Sequence, residues 1–263
     1  MFPYFEQPIW QLGPFTFKTF GFLVGVGVVS GLWLVYRRAA QMRIPAGEMR
    51  GAARTALVAG FWASIIAEVV FYQPQILCAE GLSAFFTFEH GMSSYGGFLG
   101  AFAGLWVYFA IRRERWLAHA DVLVQGIVVG WVFGRLGCTF AHDHKGCFSE
   151  FFLAFKYPEG ARHNLGFYEF LYTLVVLLPA IMVIHHRYGS PRGMHCTLIA
   201  LLYAPVRFGL DFLRSRDEGE RSDARYLGLT FAQYCCVALV LYGLVTIPRT
   251  WRGLQDAIAV RTP

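Results

Sequence analysis

The sequence predicts an all-α, polytopic membrane protein of about seven transmembrane helices, and three observations carry that prediction. The 263 residues are 56% hydrophobic and only 15% charged, with a mean hydropathy of +0.44, whereas a soluble domain carries roughly 25% charge. Apolar stretches of about 20 residues, enough to cross the hydrocarbon core, recur along the chain. Arginines gather in alternate connections, as the positive-inside rule requires. The 25 Phe, 13 Tyr and 7 Trp suit a lipid-facing bundle with interfacial belts.

Residues 1–11 have no basic n-region and no small-residue cleavage site, so they read as mature chain, an interfacial segment rather than a signal peptide. The spans follow at 20–36, 55–72, 95–111, 121–138, 167–184, 194–213 and 229–247. Several are rich in glycine, which favours close helix contact. The first connection holds Arg37, Arg38, Arg43, Arg50 and Arg54, the third Arg112, Arg113 and Arg115, and the fifth Arg187 and Arg192. The tail adds Arg249, Arg252 and Arg261, while the second connection has no Lys or Arg. This pattern puts the N-terminus outside and the C-terminus in the cytoplasm. The whole chain, 1–263, reads as one integral membrane domain with periplasmic loops at 73–94, 139–166 and 214–226.

The net charge of +6 belongs to cytoplasmic loops and argues for no nucleic-acid partner. Six cysteines, among them Cys138 and Cys147, show no zinc-type spacing. That pair reads either as a disulfide of an oxidising compartment or as free thiols. The absence of an internal repeat argues against an inverted-repeat transporter.

A charge at mid-bilayer costs at least ~2.5 kcal/mol and needs a partner, water or a function. Arg135 closes the fourth span in Gly134-Arg135-Leu136-Gly137, where a guanidinium can grip a phosphate or sit in an ion pair. Arg207, Asp211 and Arg214 share one face of the sixth span by their spacing, so Asp211 can hold both arginines. Glu68, inside the second span, reads as a counter-ion for Arg135 or Arg207. Glu169, near the start of the fifth, reads as a capping or dipole contact. Together they describe an arginine-lined pocket at headgroup depth, suited to a phospholipid phosphate.

Motifs at Met92 to Gly100, Gly134 to Gly146, Arg162 to Glu169, Arg207 to Arg214 and Gly228 to Gln233 occur in this order. In order and spacing the chain resembles bacterial prolipoprotein diacylglyceryl transferase, from Leu12-Gly13-Pro14 to about Val245. The resemblance implies transfer of a diacylglyceryl group from phosphatidylglycerol to a lipobox cysteine thiol, with a thioether formed and glycerol phosphate released. It implies a multi-pass protein of the bacterial inner membrane, with membrane lipid and the prolipoprotein lipobox segment as partners and no metal or cofactor. Arg135 and Arg207 would bind the phosphate. Asp211, in place of the family's usual Glu, would orient Arg207, with Arg214, Asp143, Gly146, Gly96 and Gly97 also at the substrate. Tyr95 stands where the family has a histidine, a candidate base. His90, His142, His144 and His163 are the nearest replacements, since a histidine suits a thiol proton near neutral pH. The competing reading is a lipid-binding or lipid-transporting homologue that has lost the reaction.

Overall fold

The helices come from long apolar stretches bounded by Pro, Gly and Arg. The computed structural model describes residues 1–12, 15–87, 91–112, 116–189, 193–215 and 225–259. Seven helices are long and apolar enough to cross a membrane: Thr19–Gln41, Ala46–Tyr72, Ser94–Arg112, His119–Ala141, Leu165–Tyr188, Met194–Leu213 and Phe231–Ala259. All seven predicted spans are present, and most extend further at their ends than the apolar core alone indicates. The protein is a polytopic, all-α membrane protein. Expectations resting on Gly13, Pro14, His90, Arg113, Arg115, Arg192, Arg261 and loop residues 216–224 fall outside the described residues.

The helices, in order, are α1 (Thr19–Gln41), α2 (Ala46–Ala67), α3 (Pro74–Glu80), α4 (Ser94–Arg112), α5 (Trp116–Ala141), α6 (Leu165–Tyr172), α7 (Leu178–Tyr188), α8 (Met194–Leu198), α9 (Ala204–Leu210) and α10 (Phe231–Ala259). Widened π turns at Thr173–Leu177 and Ile199–Tyr203 join α6 to α7 and α8 to α9. Each stands directly before a helix with proline at its second residue, Pro179 or Pro205. A proline ring presses on the carbonyl four residues earlier and offers no N–H, and a π turn absorbs both faults without ending the span.

Two compact units emerge. In the unit Tyr36–His119 with Asp223–Cys235, α2 and α4 cross on small residues. A Cβ on Gly96 would lie 2.3 Å from Ala67 Cβ, and one on Gly100 would lie 2.1 Å from Ala63 Cβ. Ile65, Val69 and Ala84 form the buried apolar cluster there. In the other unit (Met1–Val35, Ala120–Ser222, Cys236–Pro263), Gly31 of α1 meets Gly126 of α5 backbone to backbone. Its cluster is Val128, Leu177, Ile181 and Tyr203. Asp121, fully buried, accepts from the backbone N–H groups of Gly193 (2.5 Å), His195 (3.1 Å) and Cys196 (3.3 Å). This carboxylate satisfies the first turn of α8 and fixes where the sixth span begins.

The expected loop 139–166 is more ordered than its composition indicates. It folds into β4 (Lys145–Phe148), β5 (Phe155–Tyr157) and β6 (Gly160–Asn164), which join β1 (Phe2–Pro3) in a sheet of order β1-β5-β6-β4. β1 runs parallel to β5, and the other pairs are antiparallel. β2 (Ile9–Leu12) and β3 (Phe15–Lys18) form a hairpin before α1, and β7 (Arg225–Tyr226) pairs with β8 (Leu229–Thr230) before α10.

Candidate functional site: a row of alternating charges at the ends of three spans

Asn164 caps α6 by accepting the Phe167 N–H at 3.0 Å. The helix thereby starts at Leu165 and carries Glu169 one turn in, fully inside the protein at 1% exposure. One Glu169 oxygen lies 3.1 Å from Arg135 Nε on α5, and the other lies 3.4 Å from Arg207 Nε on α9. The Tyr203 hydroxyl, set by the π turn before Pro205, donates to the same carboxylate. Arg207 then donates to Asp211 at 2.7 Å, and Arg214 Nη1 lies 3.9 Å from that carboxylate. Positive and negative groups alternate in the order Arg135, Glu169, Arg207, Asp211, Arg214. Three guanidiniums stand against two carboxylates in the row, and Asp143 at its open end is a third acid, facing the charges of Arg135 and Arg214. Trp131, four residues before Arg135 on α5, stacks its ring 4.3 Å from the Arg135 guanidinium.

The buried row opens at one end. Side-chain exposure rises from 3% at Arg135 to 16% at Arg214, 21% at His144 and 40% at Asp143. The sheet sets this mouth. Gly146 on β4 bridges to Arg214, and Ser215 N–H donates to the Lys145 carbonyl at 3.3 Å. Gly146 has no room for a Cβ, which would lie 2.7 Å from both His163 Cβ and the Leu213 carbonyl. Arg162 locks the contact by donating to Ser215 Oγ (3.0 Å) and the Gly146 carbonyl (3.3 Å), with its guanidinium 3.7 Å from the Phe148 ring centre. Arg214, so held, donates to His144 Nδ1 at 2.7 Å. Burial first, then the Arg214, Arg135 and Arg207 charges, push the His144 imidazole well below the usual histidine range. Burial raises the Asp143 carboxyl although Arg135 and Arg214 oppose the shift. The Cys138 sulfur lies within 4.8 Å of an Asp143 oxygen.

A profile of the family described as prolipoprotein diacylglyceryl transferase matches residues 7–249. The chain belongs to the prolipoprotein diacylglyceryl transferase family. Among its curated relatives, a protein of Nitratidesulfovibrio vulgaris (strain DSM 19637 / Miyazaki F) is 27% identical, with 99% of each chain covered. One of Chromohalobacter salexigens is 29% identical over 89% of this chain and 88% of its own. One of Vibrio cholerae is 27% identical over 99% of this chain and 97% of its own. All three are named phosphatidylglycerol–prolipoprotein diacylglyceryl transferase.

In this family member, Arg135, Arg207, Asp211 and Arg214 form the row, and Asp143 and His144 lie at its open end. Gly146 serves the close pass of β4 against Leu213. His142 is also in this unit, but both its ring nitrogens are engaged. Nε2 donates to the Phe5 carbonyl at 2.9 Å, so Nδ1 accepts, from the Tyr157 hydroxyl at 3.1 Å and Asn164 at 3.3 Å. Burial holds its pKa low. His163 pairs through Nδ1 with the Tyr168 hydroxyl at 2.8 Å. Tyr95, Gly96 and Gly97 belong to the other unit, at the start of α4, where Gly96 is buried against α2.

One expectation is corrected. Glu169 is no capping residue, because Asn164 takes that place and Glu169 lies between the two arginines. Glu169 is a counter-ion of both Arg135 and Arg207, and Glu68, which belongs to the other unit, accepts from Gln73 at 2.8 Å. The sequence signal for Glu169 was its place inside a predicted span, five residues after a capping Asn. Cys138 and Cys147 are both free thiols, one buried and one exposed. Cys138, Asp143 and His144 bring donor atoms within 4.8 Å of one another, close enough to share a cation. The donor set does not fit one. Arg214 already donates to Nδ1, which leaves the ring proton on Nε2, and a metal would have to displace one or the other.

Proposed function

We propose that this chain transfers a diacylglyceryl group from phosphatidylglycerol to the cysteine thiol of a prolipoprotein lipobox, in the bacterial cytoplasmic membrane. The observation that carries this reading is the row of three arginines held in place by Glu169 and Asp211, buried at the ends of three spans and open at Arg214. A phosphate leaving group needs such cations, and their strength grows in a low-dielectric setting. In the reaction the thiol sulfur attacks the glyceryl carbon that bears the phosphate ester. The S–C bond forms, the C–O bond breaks, and glycerol phosphate departs with the bonding pair. Arg135 and Arg207, kept rigid by Glu169, stabilise the charge that develops on that phosphate.

The thiol proton needs an acceptor. His142 has both ring nitrogens engaged, and the His144 Nδ1 lone pair faces Arg214. Asp143 supports the role better, because it is exposed and burial of its carboxyl raises its pKa. A carboxylate nearer neutrality is a better base for a thiol than an ordinary aspartate. The engaged histidines also keep alive the second reading, a lipid-binding homologue without the reaction.

One assay separates the two. The purified protein is incubated with phosphatidylglycerol and a lipobox peptide, and glycerol phosphate release and the mass of the peptide are followed. Release matched by a diacylglyceryl-sized mass gain on the peptide cysteine is the expected result. Binding of the lipid with neither change would reject the transferase reading.

A further inference from the structure

Resting on the phosphate-handling reading above, we propose that His144 is a fixed hydrogen-bond donor to the lipid phosphate, through an Nε2–H that Arg214 locks in place. A guanidinium has donors and no acceptor. In the 2.7 Å contact between Arg214 Nη2 and His144 Nδ1, the imidazole nitrogen must therefore be the acceptor. A neutral ring then carries its hydrogen on Nε2. A second proton would have to land on Nδ1, expel the guanidinium and add a cation beside Arg214, Arg135 and Arg207. Burial and those same charges oppose it.

The ring is fixed from its backbone as well. The His144 carbonyl accepts the Leu165 N–H at 3.0 Å, which ties this turn to the first residue of α6. Nε2 lies on the side of Asp143, the most exposed group of the site at 40%. Its acid neighbour, Asp143 Oδ1, is 3.9 Å away, beyond hydrogen-bond length. A phosphate oxygen entering the mouth would meet Arg214 and this N–H side by side. The chemical class this subsite takes is a phosphate ester, and His144 acts on it as a neutral donor that cannot serve as base.

Glycerol phosphate is the probe, titrated by calorimetry into the full protein in detergent, with His144→Ala and His144→Gln beside the unchanged chain. Gln offers an amide N–H in place of the ring N–H, while Ala offers nothing. His144→Ala should weaken binding by about tenfold or more, and His144→Gln should stay within about threefold of the unchanged chain. Equal binding in His144→Ala, or His144→Gln as weak as Ala, would overturn the proposal. A second measurement needs no variant to fold well. The ¹⁵N spectrum of histidine-labelled protein should show His144 protonated on Nε2 alone between about pH 6 and 8. A proton on Nδ1 in that window overturns the lock. If the unchanged chain binds glycerol phosphate in a His144-dependent way yet turns over no lipid, the transferase reading falls and this one stands.

Discussion

At the residue scale the decisive group is one carboxylate. Glu169 compensates Arg135 and Arg207 in a setting from which water is excluded. Removing one partner of such a buried set leaves an uncompensated charge and costs roughly 3–5 kcal/mol. Glu169→Gln keeps shape and hydrogen-bonding capacity but removes the charge. It should lower thermal stability in detergent strongly and reduce lipid transfer by at least ~100-fold, whereas Tyr203→Phe, which removes only the hydroxyl, should do far less. Equal stability of Glu169→Gln and the unchanged chain would show the row to be held by other means. Asp143 carries the pH dependence. Its carboxyl is raised, so falling pH protonates it earlier than an ordinary aspartate, and a protonated acid cannot take a thiol proton. The acid limb of kcat/KM should therefore lie above the usual aspartate value of about 4. No limb from His142 or His144 should accompany it, since both are held neutral. Asp143→Asn should cost about 10²–10⁴-fold in rate and abolish that limb, which a pH–rate series on both proteins would read.

At the element scale the glycines of α4 are packing devices. Gly96 and Gly100 let α2 approach so closely that any Cβ would overlap Ala63 or Ala67. Gly96→Ala should destabilise by about 1–3 kcal/mol as an overpacked contact, with the KM for phosphatidylglycerol unchanged in the protein that folds. A raised KM at unchanged thermal stability would return Gly96 to the substrate. The helices were legible because a span must satisfy its own backbone in lipid and therefore leaves a long apolar record. The sheet was not, since its strands are two to five residues long and lie in a stretch read for its charges. The same limit hid Arg162, whose value lies in two distant partners, Gly146 and Ser215. Arg207 and Asp211 were legible as a pair because a helix brings i and i+4 together. Glu169 was not, because its partners lie on two other spans and only the fold unites them.

For the whole molecule, the charge bias of the connections makes a claim about sides that the helices alone do not. Arg37, Arg38, Arg43, Arg50 and Arg54 fall between the first two spans, and no Lys or Arg falls in 73–94. By the positive-inside rule the connection 73–94 and the connection 139–166, which carries the sheet, are each predicted to be external. A secreted precursor crosses toward the external face, and a donor lipid in that leaflet could reach the mouth laterally. Two of the protein's own cysteines test the assignment. Cys78 lies in α3 and Cys147 in β4, and both are exposed free thiols. A membrane-impermeant maleimide added to spheroplasts should label both without permeabilisation, and Cys78→Ser with Cys147→Ser should remove the signal. Each lies in a connection predicted to be external, so labelling only after permeabilisation would invert the topology. The charge row would then open to the cytoplasm, and the transferase reading would lose its access to the translocated thiol.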